Sequence, residues 1–257
     1  MGGVNGLAID SDAIYWLEYD INSGNGKIVK SNKDGGTVII LAEGFPSLEG
    51  GGTSTYNVYF PNGIALNDTH IFWGEEVGTG AIRKVSKNGG GVTDIRRGDG
   101  FKLTELEADN QFVYAINSNV SEILKINLST ETSTVLNNSS FSTSGAFSNL
   151  ELANDVLYWS EITTIGKVFS LPILGGDVVT VKSGLTSPRS VYVRGSFLYV
   201  ASSEGLLKID LQLDTEEEIV CSNLSIPFTM NIDQSSVYIS DLPLAGESGS
   251  KVLAVGS

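Results

Sequence analysis

The sequence predicts an all-β chain built from six copies of one four-stranded unit, on three observations. A residue that is aliphatic (Met in one case) is followed eight positions later by an aromatic, six times: Leu7/Tyr15, Ile64/Phe72, Leu106/Tyr114, Leu150/Tyr158, Val191/Tyr199 and Met230/Tyr238. Between these pairs run short blocks of β-branched and aromatic residues bounded by Gly, Asn and Asp, and no helix-period segment of useful length interrupts them. Gly is abundant at 30 residues and charged residues are only 18%, with Ser, Thr and Asn filling the gap, which suits strands joined by tight turns.

The second copy displays the unit in full. Gly63-Ile64-Ala65-Leu66 is followed by Ile71-Phe72-Trp73-Gly74-Glu75, then Ala81-Ile82-Arg83-Lys84-Val85, then Val92-Thr93-Asp94-Ile95. That is four strands and three turns. Strand three recurs as Ile28-Val29-Lys30, Ile123-Leu124-Lys125, Val168-Phe169-Ser170, Leu206-Leu207-Lys208 and Val252-Leu253-Ala254. The hairpin after it reads Asp34-Gly35-Gly36, Asn88-Gly89-Gly90 and Leu174-Gly175-Gly176, and Asp-Gly or Asn-Gly is expected to supply the positive φ values of a two-residue turn. Ser129-Thr130-Glu131-Thr132 and Gln212-Leu213-Asp214-Thr215 replace it in copies three and five, which implies a longer loop there.

A repeat of about 40 residues falls in the range of propeller blades. The expected architecture is therefore a six-bladed β-propeller of four-stranded antiparallel blades. Its repeats begin near residues 6, 63, 104, 149, 190 and 229, within a single domain over 1–257. The sixth repeat stops in its third strand, so the last blade is expected to lack its outer strand, as in a domain cut from a longer chain or one that has lost a seventh repeat. One interval, Phe45 to Pro61, is longer than its counterparts and leads into an innermost strand. It is expected to overhang one end of the central channel, where departures from a repeat tend to carry function.

Tyr15-Trp16-Leu17-Glu18, Phe72-Trp73-Gly74-Glu75 and Tyr158-Trp159-Ser160-Glu161 resemble the Tyr-Trp-Thr-Asp repeat of the propeller in low-density-lipoprotein-receptor-like proteins. Val237-Tyr238-Ile239-Ser240-Asp241 keeps the aromatic and the acid. The resemblance covers nearly the whole chain and implies a ring of six blades; bacterial propellers of unassigned role have similar blades. The copies depart from the pattern: Thr is absent from its third position, and Tyr114-Ala115-Ile116-Asn117 and Tyr199-Val200-Ala201-Ser202 lose the Trp. Receptor-type ligand recognition does not carry over residue by residue.

A formal net charge of −14 argues against nucleic acid, whose binding needs clustered Lys and Arg. It argues equally against an anionic membrane surface. No apolar run of about 18 residues occurs, so no membrane insertion is expected. The chain's start resembles neither a secretory signal nor a myristoylation signal. Cys221 is the single cysteine, which excludes an intrachain disulfide. His70 is the single histidine, and no Ser-His-Asp or Cys-His pairing is readable around it. Both residues read as packing positions.

Chemistry is expected on the first strands, which line the channel of a propeller. Beside the aliphatic anchor most copies carry small or neutral residues, but copies three and four carry Glu105, Glu107, Asn149 and Glu151. Strand alternation puts Glu105 with Glu107, and Asn149 with Glu151, on one side. With Arg189 and Asn62 they form the candidate ligand-binding set. Glu105, Asn149 and Glu151 are the candidate oxygen ligands for a hard cation such as Ca²⁺. The same carboxylates could act as general acid or base, or could be paired with Arg189, Lys102 or backbone amides with no ligand at all. A second column, three residues after each second-strand aromatic (Glu18, Glu75, Asn117, Glu161, Ser202 and Asp241), recurs too regularly to be a site and reads as a scaffold device.

The expected function is that of a non-enzymatic binding or scaffold propeller, monomeric and extracellular or periplasmic, taking a protein or small-molecule ligand at a channel mouth and needing no cofactor. The alternative is a metal-dependent lactonase or hydrolase with Ca²⁺ in the channel.

Overall fold

The computed structural model describes residues 2–20, 25–46, 62–75, 80–97, 103–141, 146–213, 215–222, 224–232, 235–242 and 251–256. They are all-β, with no helix, and form the six small antiparallel sheets of a six-bladed β-propeller. Blade one is β1 (Gly2–Ile9), β2 (Ala13–Asp20), β3 (Asn25–Asn32) and β4 (Ile39–Pro46). Blade two is β5 (Asn62–Leu66), β6 (His70–Glu75), β7 (Ala81–Ser86) and β8 (Thr93–Arg97). Blade three is β9 (Leu103–Ala108), β10 (Phe112–Asn117), β11 (Glu122–Asn127) and β12 (Ser133–Val135). Blade four is β13 (Ala146–Ala153), β14 (Val156–Ile162), β15 (Gly166–Pro172) and β16 (Val179–Leu185). Blade five is β17 (Ser190–Arg194), β18 (Phe197–Ser202), β19 (Gly205–Asp210) and β20 (Thr215–Ser222). Blade six has three bonded strands, one fewer than the others: β21 (Ile226–Ile232), β22 (Ser236–Leu242) and β23 (Lys251–Gly256). Contacts divide the chain into two compact units of three blades each, Met1–Leu136 and Asn137–Ser257.

The eight-residue spacing has a structural meaning that the sequence alone did not disclose. Its two members point to opposite faces of their blade, because Leu7 pairs across from Trp16 while Tyr15 pairs across from Ala8. Ile64 packs into the core shared with blade one, and Phe72 into the core shared with blade three. Val191 likewise packs with Tyr158 of blade four, and Tyr199 with Met230 of blade six. Within each unit the aliphatic residue meets the preceding blade and the aromatic meets the following one.

Strand three contributes a lysine to the same device. Lys30, Lys125 and Lys208 pair across from Tyr15, Tyr114 and Tyr199. Their ammonium groups lie 5.4 Å from the Tyr15 ring, 4.1 Å from Phe112 and 4.2 Å from Phe197, so each cation sits against an aromatic while its stem covers apolar surface.

The glycine hairpins differ from expectation. The positive φ falls on Gly35 and Gly36 and on Gly89 and Gly90, not on Asp34 or Asn88. Gly35 N–H donates to the Asn32 carbonyl (3.1 Å) and Gly89 N–H to Ser86 (2.9 Å). Each turn is therefore centred one residue earlier and closed by a left-handed glycine, the longer hairpin type. In blade three the expected longer loop is present, with Glu131 at φ 56° and the Asn127 side chain accepting from Ser129 and Thr130 N–H. Residues 47–61 of the long interval lie outside the described residues.

Candidate functional site

The candidate residues sit where the innermost strands bulge. The ladder slips between Asn5 and Leu7, between Asn62 and Ile64, and between Ser148 and Leu150. The residue left over in each case has a left-handed backbone: Gly6 (φ 71°), Gly63 (70°) and Asn149 (52°). Glycine is favoured there because it lacks the Cβ that penalises positive φ, and asparagine is among the few other residues tolerated. Space adds to the constraint. A Cβ on Gly63 would lie 3.3 Å from the Leu106 nitrogen and 3.5 Å from a Glu105 carboxyl oxygen. In these three blades the position before the anchor is thus a junction between neighbouring innermost strands.

Asn149 uses that junction directly. Its Oδ1 accepts hydrogen bonds from Val191 N–H (2.7 Å) and Ser190 Oγ (3.1 Å) on β17. Two residues on, Glu151 Oε1 accepts from Val193 N–H at 3.3 Å. An innermost strand has one edge without a sheet partner, and its N–H groups need acceptors. β13 supplies them through two side chains on one face, as alternation predicts. Burial pushes the Glu151 carboxyl up to about 7, against the opposing Val193 hydrogen bond.

Glu105 and Glu107 belong to β9 in the first unit. Glu105 lies against Gly63 of β5, and Glu107 Oε2 accepts from Ala108 N–H at 3.3 Å. Arg189 precedes β17, and its backbone N–H donates to the Ala201 carbonyl (3.0 Å). Asn62 opens β5 opposite Gly74, and its side chain lies outside the described residues. Among the described residues no three His, Cys, Asp or Glu side chains group to hold a metal.

The raised Glu151 carboxyl makes a prediction with a definite sign. Between about pH 4.5 and about 7 the folded chain holds a proton that the unfolded chain releases, so stability falls as pH rises through that window. Glu151→Gln removes the titration and keeps an acceptor for Val193. It should flatten the melting temperature across the window and leave the variant more stable than the parent at about pH 8. Thermal melts across this range check it.

The second column behaves as a scaffold device where its side chains are described. Asp241 accepts from Ser225 (3.1 Å) and Ile226 (2.8 Å) N–H at the entry to β21. Ser202 Oγ donates to Gly205 C=O, and Glu18 accepts from Trp16 Nε1 at 2.9 Å. Asn117 and Glu161 are buried. His70 packs at the start of β6 with Nδ1 2.8 Å from Thr69 Oγ1, and burial followed by the Lys84 charge lowers its pKa. Cys221 packs half-buried beside the blade-five core.

Two features went unread in the sequence. Asp10, Asn67 and Asp109, three residues after their anchors, each cap the first hairpin by accepting two backbone N–H groups at 2.7–2.9 Å. Asp10 and Asp109 also accept from the hydroxyls of Tyr15 and Tyr114, both at 3.0 Å. Burial of Asp10 opposes its ionisation, but Lys87 at 2.7 Å and the other donors hold its carboxyl well below the usual range. The recurrence of Asp, Asn and Asp at one offset was the available signal. The second feature is a cleft of about 530 Å³ between β16 and the β18–β19 turn, lined by Lys182, Ser183, Ser202, Glu204 and Leu206 among others. It forms between two blades, and no single repeat encodes it.

No family model and no curated protein matches the chain. Solved structures do. A nidogen/laminin complex contains a chain with a TM-score of 0.62 at 16% identity, over 93% of this chain and 86% of that one. The computationally designed Ika8 protein reaches 0.59 at 13% identity, over 93% and 81%. At such identities the likeness is one of fold.

Proposed function

We propose that this chain is a non-enzymatic binding or scaffold propeller, a module of an extracytoplasmic protein that takes a protein partner. One observation carries the reading: two of the three candidate cation ligands, Asn149 and Glu151, each have a side-chain oxygen committed to a β17 N–H group. A carboxylate and an amide oxygen used as strand acceptors are poor free ligands for Ca²⁺, which takes six to eight oxygens. The similar chain in a nidogen/laminin complex supports a protein as the kind of partner.

Calcium tests the reading. A Ca²⁺ ion bound at about a hundredfold its Kd would add about 2.7 kcal/mol and raise Tm by about 5–10 °C for a chain of this size. The expected result is no such shift between EDTA and excess Ca²⁺, and no Ca²⁺-dependent hydrolysis of a lactone panel. A shift of that size that disappears in Glu151→Gln, together with lactone turnover, would overturn the proposal.

A further inference from the structure

The cleft between blades four and five lies beside an unusually short hairpin. β18 ends at Ser202 and β19 begins at Gly205, so Ser203 and Glu204 alone join them. The same interval is longer in every other blade, running from Asp20 to Asn25, Glu75 to Ala81, Asn117 to Glu122, Ile162 to Gly166 and Leu242 to Lys251. A shorter turn covers less of the neighbouring blade, and here a cleft of about 530 Å³ stands between the turn and β16. That volume is typical of small-molecule sites, which run to about 300–1,000 Å³. β16 bulges beside it. Gly166 pairs with Leu185 and Lys167 with Ser183, which leaves Gly184 over at φ 82°. A bulge bends its strand and re-aims the flanking side chains.

The turn is held in place. Ser202 is 2% exposed; its Oγ donates to Gly205 C=O and accepts from Glu204 N–H, both at 3.3 Å. Ser203 N–H donates to Thr186 C=O (2.9 Å), and Thr186 Oγ1 donates to Glu204 Oε1 (2.7 Å). Blade four thus orients the Glu204 carboxylate while taking one of its roughly four lone-pair positions. Lys182 brings an ammonium from β16, and the buried Leu185 and Leu206 give the cleft an apolar floor. Among the described residues that line it, Glu204 is the one carboxylate and none is aromatic.

We propose that this cleft binds a small zwitterion with an aliphatic side chain, an amino acid or a short peptide: its carboxylate on Lys182, its ammonium on Glu204, and its side chain over Leu185 and Leu206. Other classes fit worse. A phosphate would meet Glu204 as a like charge. A hard cation wants six to eight oxygens and would meet Lys182. A nucleobase finds no ring to stack on. The site lies on the outer strand of blade four, whereas Asn149 and Glu151 lie on its innermost strand, so the proposal stands independently of the protein-partner reading above.

The test is an NMR titration of the whole chain with L-leucine and with Leu-Leu, each beside its N-acetylated and its amidated form. One or both of the uncapped ligands should bind with a Kd below about 1 mM, and which of them does tells a free amino acid from a peptide. Either cap should weaken binding about tenfold, because each removes one charge. Glu204→Gln keeps an acceptor for Thr186 on an exposed turn, so it should melt like the parent. It should lose about tenfold toward the uncapped ligand and nothing toward the N-acetylated one, which has no ammonium to place. Lys182→Gln should do the converse, losing affinity for the uncapped ligand and none for the amide. No binding below about 1 mM by either uncapped ligand overturns the proposal. Binding that ignores the caps, or that each variant weakens equally for every ligand, overturns it as well.

Discussion

Asn149→Ala is expected to destabilise the protein by about 2–5 kcal/mol, with no ligand present. The substitution leaves Val191 N–H without its 2.7 Å acceptor, at about 1–3 kcal/mol for an unsatisfied buried donor. It also forces alanine to φ 52°, which costs roughly 1–2 kcal/mol. For a chain of this length the sum corresponds to a Tm lower by about 4–20 °C. Asn149→Gly separates the two terms. Glycine stands at this position in blades one and two and accepts the backbone angle, so it should lose the hydrogen bonds alone and lie about 1 kcal/mol above alanine. Asn149→Asp keeps the acceptor and should remain close to the parent. Urea unfolding of the three variants orders them. Were Asn149 a ligand-binding residue with no scaffold role, all three would unfold like the parent and differ only when a ligand is added.

Trp159→Ala should cost about 3–5 kcal/mol, the range for removing a buried aromatic, or about 6–20 °C in Tm. Trp159 is fully buried, 5.2 Å from the Phe141 ring in an edge-to-face contact and 5.5 Å from Phe169, and Phe141 also meets Phe147 at 5.2 Å. Such ring pairs add about 0.5–1.5 kcal/mol each beyond burial. Trp159→Phe should cost far less. It keeps the ring stack and removes an indole N–H that has no hydrogen-bond partner among the described residues, so the lost volume is offset by a relieved donor. If Phe proves as damaging as Ala, the indole N–H contributes something that its surroundings do not reveal.

The architecture was legible because each blade repeats its own local rules. The anchor, the aromatic, the strand-three aliphatic and the boundary glycines recur at fixed offsets, so a weak signal was read six times over. The short last blade was legible for the same reason: Val252-Leu253-Ala254 matched strand three and nothing matched strand four. The Asp34-Gly35 turn was misplaced by one residue because sequence shows which residues tolerate positive φ, and strand register decides which of them adopt it. Glu105, Glu107, Asn149 and Glu151 stood out as polar exceptions, open to two readings: a ligand set, or side chains paired with Arg189, Lys102 or backbone amides. Asn149 is an exception of another kind. It replaces a left-handed glycine, and in doing so gains an amide that secures the next blade. A strand bulge has no signature in alternation alone, so the positive φ that explains this residue was invisible until the ladder was seen.

The opposed orientation of Leu7 and Tyr15, and of each pair like them, bears on how such a chain can change over time. Inserting or deleting one residue in the first hairpin would turn every later side chain of that strand to the other face. The anchor and the aromatic would then present themselves to the same neighbour and leave the other with polar groups. Length changes of a single residue are therefore barred from the inner hairpin, even though its turn is at the surface. The third hairpin feeds an outer strand that faces solvent and can absorb them, as the differing loops at Asp34-Gly35-Gly36 and Ser129-Thr130-Glu131-Thr132 already do. Lineages of this repeat should accumulate insertions there, while the interval of eight stays fixed.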